Sequence, residues 1–297
     1  MKNRLRVALL VSLTMTLLLT MAGIVRAEEP VKQHKDDQVR KEEATKEPEV
    51  LRPSVTMNMG LLNRYVFRGY EIGTRSISIQ PAITVSLEGF SIAYWGNFDT
   101  HERATQSFVP DRPGKVSYNE TDLTLSYTRS FDKLGLTAGY TYYAMQYAKQ
   151  TQEVFVSATY GVFSNPTISI YRDIDAYPGT YFNLKFSQSF PVYKYKGNDI
   201  TLDAGACFGY MAGSSGYWKT LDSFGRYNGS KYNALHDGML SAGITIPLAK
   251  GLQIQPLVQF WYPLSSKAHR TINGVAYNPN GNIDSTVVYG LNLTYSF

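Results

Sequence analysis

From Ser54 to the end of the chain, apolar and polar residues alternate. In 251–262 the apolar set is Leu252, Ile254, Val258, Phe260 and Tyr262, with Gln253, Gln255 and Gln259 on the opposite parity. In 180–190 Phe182, Leu184 and Phe186 stand against Asn183, Lys185, Ser187 and Ser189. The last stretch repeats the pattern, with Val287, Tyr289, Leu291, Leu293, Tyr295 and Phe297 against Gly290, Asn292, Thr294 and Ser296. Such alternation puts one set of side chains on each face of a strand. It predicts about twelve strands, near 54–68, 76–87, 90–99, 119–129, 134–147, 152–162, 166–175, 180–190, 199–211, 235–247, 251–262 and 284–297. Most exceed the ~5–6 residues usual in soluble sheets and suit a tilted strand crossing a bilayer.

The connections sort by side. After the second, fourth, sixth, eighth and tenth strands they are short, whereas after the third, ninth and eleventh they are long and polar. That asymmetry is expected of a transmembrane antiparallel up-and-down β-barrel with both termini on the short, periplasmic side. Aromatic residues agree: Tyr65 and Phe67, Tyr94 and Phe98, Tyr140 and Tyr142, Phe208 and Tyr210, and Phe260 and Tyr262 fall on the apolar parity where odd-numbered strands would reach the outer interface. The seventh strand departs, because Ile168 and Ile170 are followed by Arg172, a residue expected to snorkel or to sit at a bulge. A closed sheet also explains why the chain finishes on an alternating strand: the last strand pairs with the first, and neither edge is left bare in hydrocarbon.

Residues 1–27 read as an export signal, a basic start followed by an apolar run and a small-residue cleavage point at Ala27. Residues 28–50 are charged and lack aromatics, too poor in apolar surface to offset ordering entropy, and read as a disordered periplasmic lead-in. The barrel is then 51–297. Of the 29 basic side chains, Lys2, Arg4, Arg6 and Arg26 belong to the signal, so the remainder comes near balance with 24 acidic ones and the net charge of +5 largely disappears. A nucleic-acid partner has no support from that balance. A lone Cys207 and four scattered histidines suggest neither a disulfide nor a metal site, and no cofactor is indicated.

The opposite parity lists the lumen. Its charged and amide members are Arg64, Arg68, Glu120, Asp122, Asp173, Asp175, Lys185, Asp203, Gln253, Gln255 and Gln259, among Thr56, Asn58, Gln80, Trp95, Asn97, Ser157 and Thr159. Two arrangements are open. Arg64 and Arg68 could pair with Glu120, Asp122 or Asp203 and plug the barrel, since buried charges need partners. Alternatively, the charges line an aqueous eyelet that sorts small polar solutes. Barrels of ~8 strands are filled and those of ~16–18 are open, so about twelve lies between.

Tyr65, Arg68, Gly69, Gln80, Pro81, Gly89, Phe90, Trp95, Gly96 and Asn97 carry a resemblance to a group of bacterial porins, in which a strand ending Tyr-x-x-Arg-Gly and a short loop lead to Gln-Pro-Ala and then Trp-Gly-Asn. It covers 63–100 and implies passage of small solutes through an outer-membrane channel. Bottom up, Pro81 lacks an N–H, so weak pairing is expected around it. The alternating end, Tyr289 through Phe297, is similar to the C-terminal recognition signal of bacterial outer-membrane barrels, which implies handling by the barrel-assembly machinery.

Two other classes compete with a channel. A lipase- or protease-type barrel enzyme needs a hydroxyl, an imidazole and an orienting group within reach. His101, His236 and His269 fall in or beside outer loops, His34 falls in the lead-in, and His236 next to Asp237 is expected to have its neighbour on the other face. A surface receptor or adhesin would use loop aromatics such as Tyr217, Trp218 and Tyr227. The alternation, together with the resemblance, favours a channel contacting outer-membrane lipid outside and small polar solutes inside, with no catalytic role.

Overall fold

The computed structural model describes residues 52–222, 224, 226–269, 271–272, 275–276 and 283–297. The chain divides into two units, Met1–Arg52 and Pro53–Phe297. The predicted signal and lead-in lie outside the described residues; the second unit is the barrel.

Twelve antiparallel strands close on themselves. They are β1 (Ser54–Leu62), β2 (Ser78–Leu87), β3 (Phe90–Asp99), β4 (Ser117–Phe131), β5 (Leu134–Met145), β6 (Thr151–Tyr160), β7 (Thr167–Asp173), β8 (Gly179–Tyr195), β9 (Asn198–Gly213), β10 (Asn233–Ala249), β11 (Leu252–Pro263) and β12 (Thr286–Ser296). Each pairs with its successor, and β12 closes on β1 with Met57 opposite Tyr295 and Leu61 opposite Leu291. The backbone N–H of Phe297 and the carbonyl of Val55 complete that seam at 3.0 Å. Closure gives every wall strand a partner on both sides, which is why an alternating C-terminal segment is held in place.

Two tight turns on the short side have positive φ at both central residues, Glu88 with Gly89 and Lys196 with Gly197, the geometry that suits the twist of a hairpin. On the other side, residues 63–77, 100–116, 214–232 and 264–285 make long connections. The outward parity is apolar and exposed, as at Ile92, Leu125, Val156, Ile168 and Leu240. Near the long-loop end Tyr94 meets Tyr118, Phe182 meets Tyr210 and Phe260 stacks on Tyr262, forming part of the anticipated aromatic girdle. Arg172 faces outward and donates to the Thr180 and Ser214 hydroxyls at 3.1 and 2.9 Å. Pairing between β2 and β3 lapses at Gln80 and Pro81, as the missing proline N–H requires.

The first strand departs from expectation. The alternation suggests a strand over 54–68, yet β1 stops at Leu62. Tyr65–Phe67 pairs instead with Tyr70–Gly73 in a separate hairpin. Its turn, Arg68 and Gly69, again has positive φ at both residues. Tyr65 and Phe67 therefore do not face lipid: Tyr65 is buried with its ring 5.3 Å from Trp95, and Phe67 lies 6.1 Å from Tyr143. A two-residue-turn ribbon alternates like a wall strand, so the pattern alone could not separate them. The Tyr65-x-x-Arg68-Gly69 stretch is thus an inward hairpin rather than the end of a stave.

The buried core sits inside the barrel at its long-loop end. Tyr65, Tyr70 and Ile72 of the hairpin pack with Tyr181 and Met211 of the wall and with Trp218, Tyr232 and Ile283 of the long connections. Such a plug buries its own aromatic surface, which offsets the ordering of the loop.

Candidate functional site

The lumen has two levels. The level near the short turns is lined by hydroxyls and amides joined across strands: Thr124 to Thr141, Thr128 to Thr137, Ser157 to Ser169, Thr159 to Thr167 and Asn58 to Thr294, at 2.7–3.0 Å. Asp203 is the best-partnered charge there. It accepts from Ser189 Oγ at 2.7 Å, Thr201 Oγ1 at 3.0 Å, Thr245 Oγ1 at 2.5 Å and Gln255 Nε2 at 2.9 Å. Gln255 in turn accepts from Asn292 at 3.3 Å. Asp203, Gln255 and Asn292, with Lys185, Ser187, Ser241 and Gln259, border a chamber of about 210 Å³. Gln253 is exposed on the same parity, and Gln259 accepts from the Trp261 indole at 2.9 Å.

The second level is the hairpin and the wall it meets. Its tip residue, Arg68, makes a fork-to-fork contact with Glu153 of β6, both N–H···O distances being 2.7 Å. Both side chains are largely withdrawn from solvent, 12 and 6 % exposed. The Arg68 guanidinium also lies 4.5–4.7 Å from the ring centres of Phe67, Tyr171 and Tyr181. Charge, planarity and aromatic faces thus converge on one cation, the pattern in which arginine outperforms lysine. Tyr143 donates a further hydrogen bond to Glu153 at 2.9 Å.

Arg68 sits at the tip of the hairpin beside the interior wall, and Arg64 just precedes the hairpin; neither lies on a wall strand. Their partners are Glu71, at 3.3 Å from Arg64, and Glu153; neither is Glu120, Asp122 or Asp203. Glu120 and Asp122 line the wall of β4 beside the plug, and each keeps one buried carboxylate oxygen without a hydrogen-bond partner, Oε2 and Oδ1. Asp173 ends β7 inside the barrel, accepting from Thr151 Oγ1 at 2.6 Å and from the backbone N–H groups of Asp175 and Tyr177 at 3.0 and 3.1 Å. Asp175 has already left the strand, is exposed and accepts from Gln152, so the two acids do not share one lumen face.

A bulge between β9 and β10 opposite Phe208 and Tyr210 changes the expectation for His236. The extra residue breaks the alternation, and His236 and Asp237 are both inside, 0 and 1 % exposed. Tyr181 donates to the Asp237 carboxylate at 3.0 Å, and Tyr232 meets His236 Nδ1 at 2.7 Å. His236 and Asp237 thus each take a tyrosine as partner, and the His236 ring packs edge-on against Tyr70 of the plug. Glu153 and Tyr181 escape a reading by charge lists alone, and the sequence names the His236–Asp237 pair but misjudges its orientation. Glu153 has the inward parity of Ser157 and Thr159 and was legible in principle, whereas the bulge left no sequence mark. In the connections outside the strands, burial lifts the Tyr177 and Tyr217 hydroxyls above the ordinary tyrosine range, so both remain neutral donors at physiological pH.

No protein-family model matches the chain, and no curated protein does. Among solved structures, the NanC porin is similar at 10% identity and a TM-score of 0.45, over 81% of this chain and 98% of that one. A bacterial polysaccharide outer membrane secretin is similar at 8% identity and 0.43, over 82% and 98%. OmpT, an outer membrane protein of Vibrio cholerae, is similar at 9% identity and 0.35, over 83% and 99%. The closed twelve-strand antiparallel barrel itself rests on the strand pairing described above.

Proposed function

We propose that the chain is an outer-membrane, porin-like channel for passive passage of small polar solutes, with its termini on the periplasmic side and residues 63–77 as the element that sets its aperture. The observation that carries this reading is a hydroxyl- and amide-lined chamber inside a closed barrel, capped by a hairpin rather than filled by the wall's own side chains. An apolar, aromatic-edged exterior supports insertion in lipid, where a closed sheet is one of the two structures that satisfy their backbone. Biogenesis through the barrel-assembly machinery goes with the same reading. No cofactor and no catalytic step enter it.

The ionic character of the path follows from its charges. Glu120, Asp122, Glu153, Asp173, Asp203 and Asp237 project inward from the strands, and Lys185 from β8 and Arg68 from the hairpin are cations facing them. A path lined by carboxylates favours cations. In planar bilayers the purified barrel is expected to give small conductance steps with cation preference. Arg68→Ala should enlarge those steps severalfold, and Asp203→Asn should shift the cation-to-anion permeability ratio toward one. Silence of both the wild type and Arg68→Ala, with folded protein verified on gels, would overturn the channel.

A further inference from the structure

Beside the Arg68 contact lies a cavity of related chemistry. This cavity of about 80 Å³ is bordered by Phe67, Tyr143, Tyr217 and Trp218, by the acids Glu120, Glu153 and Asp173, and by Arg68, whose charge Glu153 answers. That is room for several waters, and so for one planar cationic head on a small ring. Glu153 is answered by Arg68. Glu120, 4 % exposed, presents Oε2 with no partner, and two residues along the same inward face Asp122 presents an unpartnered Oδ1. Burying a carboxylate oxygen without a donor is costly, and the cost is relieved by a cation brought to it.

The chain itself shows which cation fits. Arg68 is held by one carboxylate and by aromatic faces, and Phe67 and Tyr143, which flank that contact, also border the cavity. Tyr217 is exposed at the long-loop end, so the cavity is approached from that side.

We propose that this cavity is a binding site for a small organic monocation with a planar amidinium or guanidinium head, seated between the aromatic walls with Glu120 as its counter-charge. The site holds whether or not the barrel conducts, because recognition needs the wall and the plug and no open path.

Isothermal calorimetry on the full barrel in detergent tests it, with benzamidine as the probe and benzamide as its neutral near-isostere. Benzamidine should bind at least tenfold more tightly than benzamide, and Glu120→Gln should remove most of that difference while leaving the heat-resistant folded band on gels. Equal affinity for the two probes in the wild type overturns the proposal, as does Glu120→Gln protein that binds benzamidine unchanged. If Glu120→Gln fails to fold, the wild-type comparison still decides, and Asp122→Asn, expected to weaken benzamidine severalfold, provides the second variant.

Discussion

At the scale of single residues, the contact between Arg68 and Glu153 is what fixes the plug to the wall. Both groups are withdrawn from water, so removing either one strands the other, and such truncations typically cost about 3–5 kcal/mol where a buried charge is left alone. Arg68→Ala and Glu153→Ala should each loosen the plug more than the combined change does per residue removed, a non-additivity that a double-mutant cycle on thermal unfolding or on open-state noise would measure. Additive effects would mean that the pair is dispensable and that aromatic packing alone holds the hairpin. Gly209 offers a second residue-level test. A Cβ there would stand 2.2 Å from Asp237 Oδ1 and 2.5 Å from the Tyr181 hydroxyl. Gly209→Ala should therefore destabilise by about 1–3 kcal/mol, the usual cost of overpacking, and lower the temperature at which the folded gel band disappears.

At the scale of elements, the wall was legible and its interruptions were not. Parity assigned Ser157, Asp203 and Gln255 to the lumen and Val258, Phe260 and Tyr289 to the outside, because every second side chain of a strand meets the same solvent. It failed where geometry departs from that rule without leaving a compositional trace. Asn119 and the His236–Asp237 step are bulges that let neighbouring side chains face the same way. Residues 65–73 fold as their own ribbon, whose alternation imitates a stave, and the Arg68–Gly69 turn was the sole local hint. The same logic explains the half-legible site: Arg68 was recognisable as an interior charge, but its partner depended on where the hairpin tip lands, which pairing patterns within the wall do not encode.

At the scale of the whole molecule, stability rests on closure. Deleting residues 286–297 would leave β1 and β11 with unpaired edges, and the truncated chain is expected to show no heat-resistant folded species when refolded into detergent or lipid. A folded, compact product would mean that the remaining strands can shut on one another. The division of the interior into an open, hydroxyl-lined chamber and a tightly packed stopper has an electrical corollary. In a conduit, an applied potential falls where resistance is greatest, so nearly all of it would drop across the thin layer containing Arg68 and little along the roomy part below. A unit charge carried through the full drop gains about 2.3 kcal/mol per 100 mV. A guanidinium lodged in that layer would feel a steep gradient over a few ångströms, and the polarity of the membrane would thus push the tip toward its carboxylate or pull it away, making the barrel rectify.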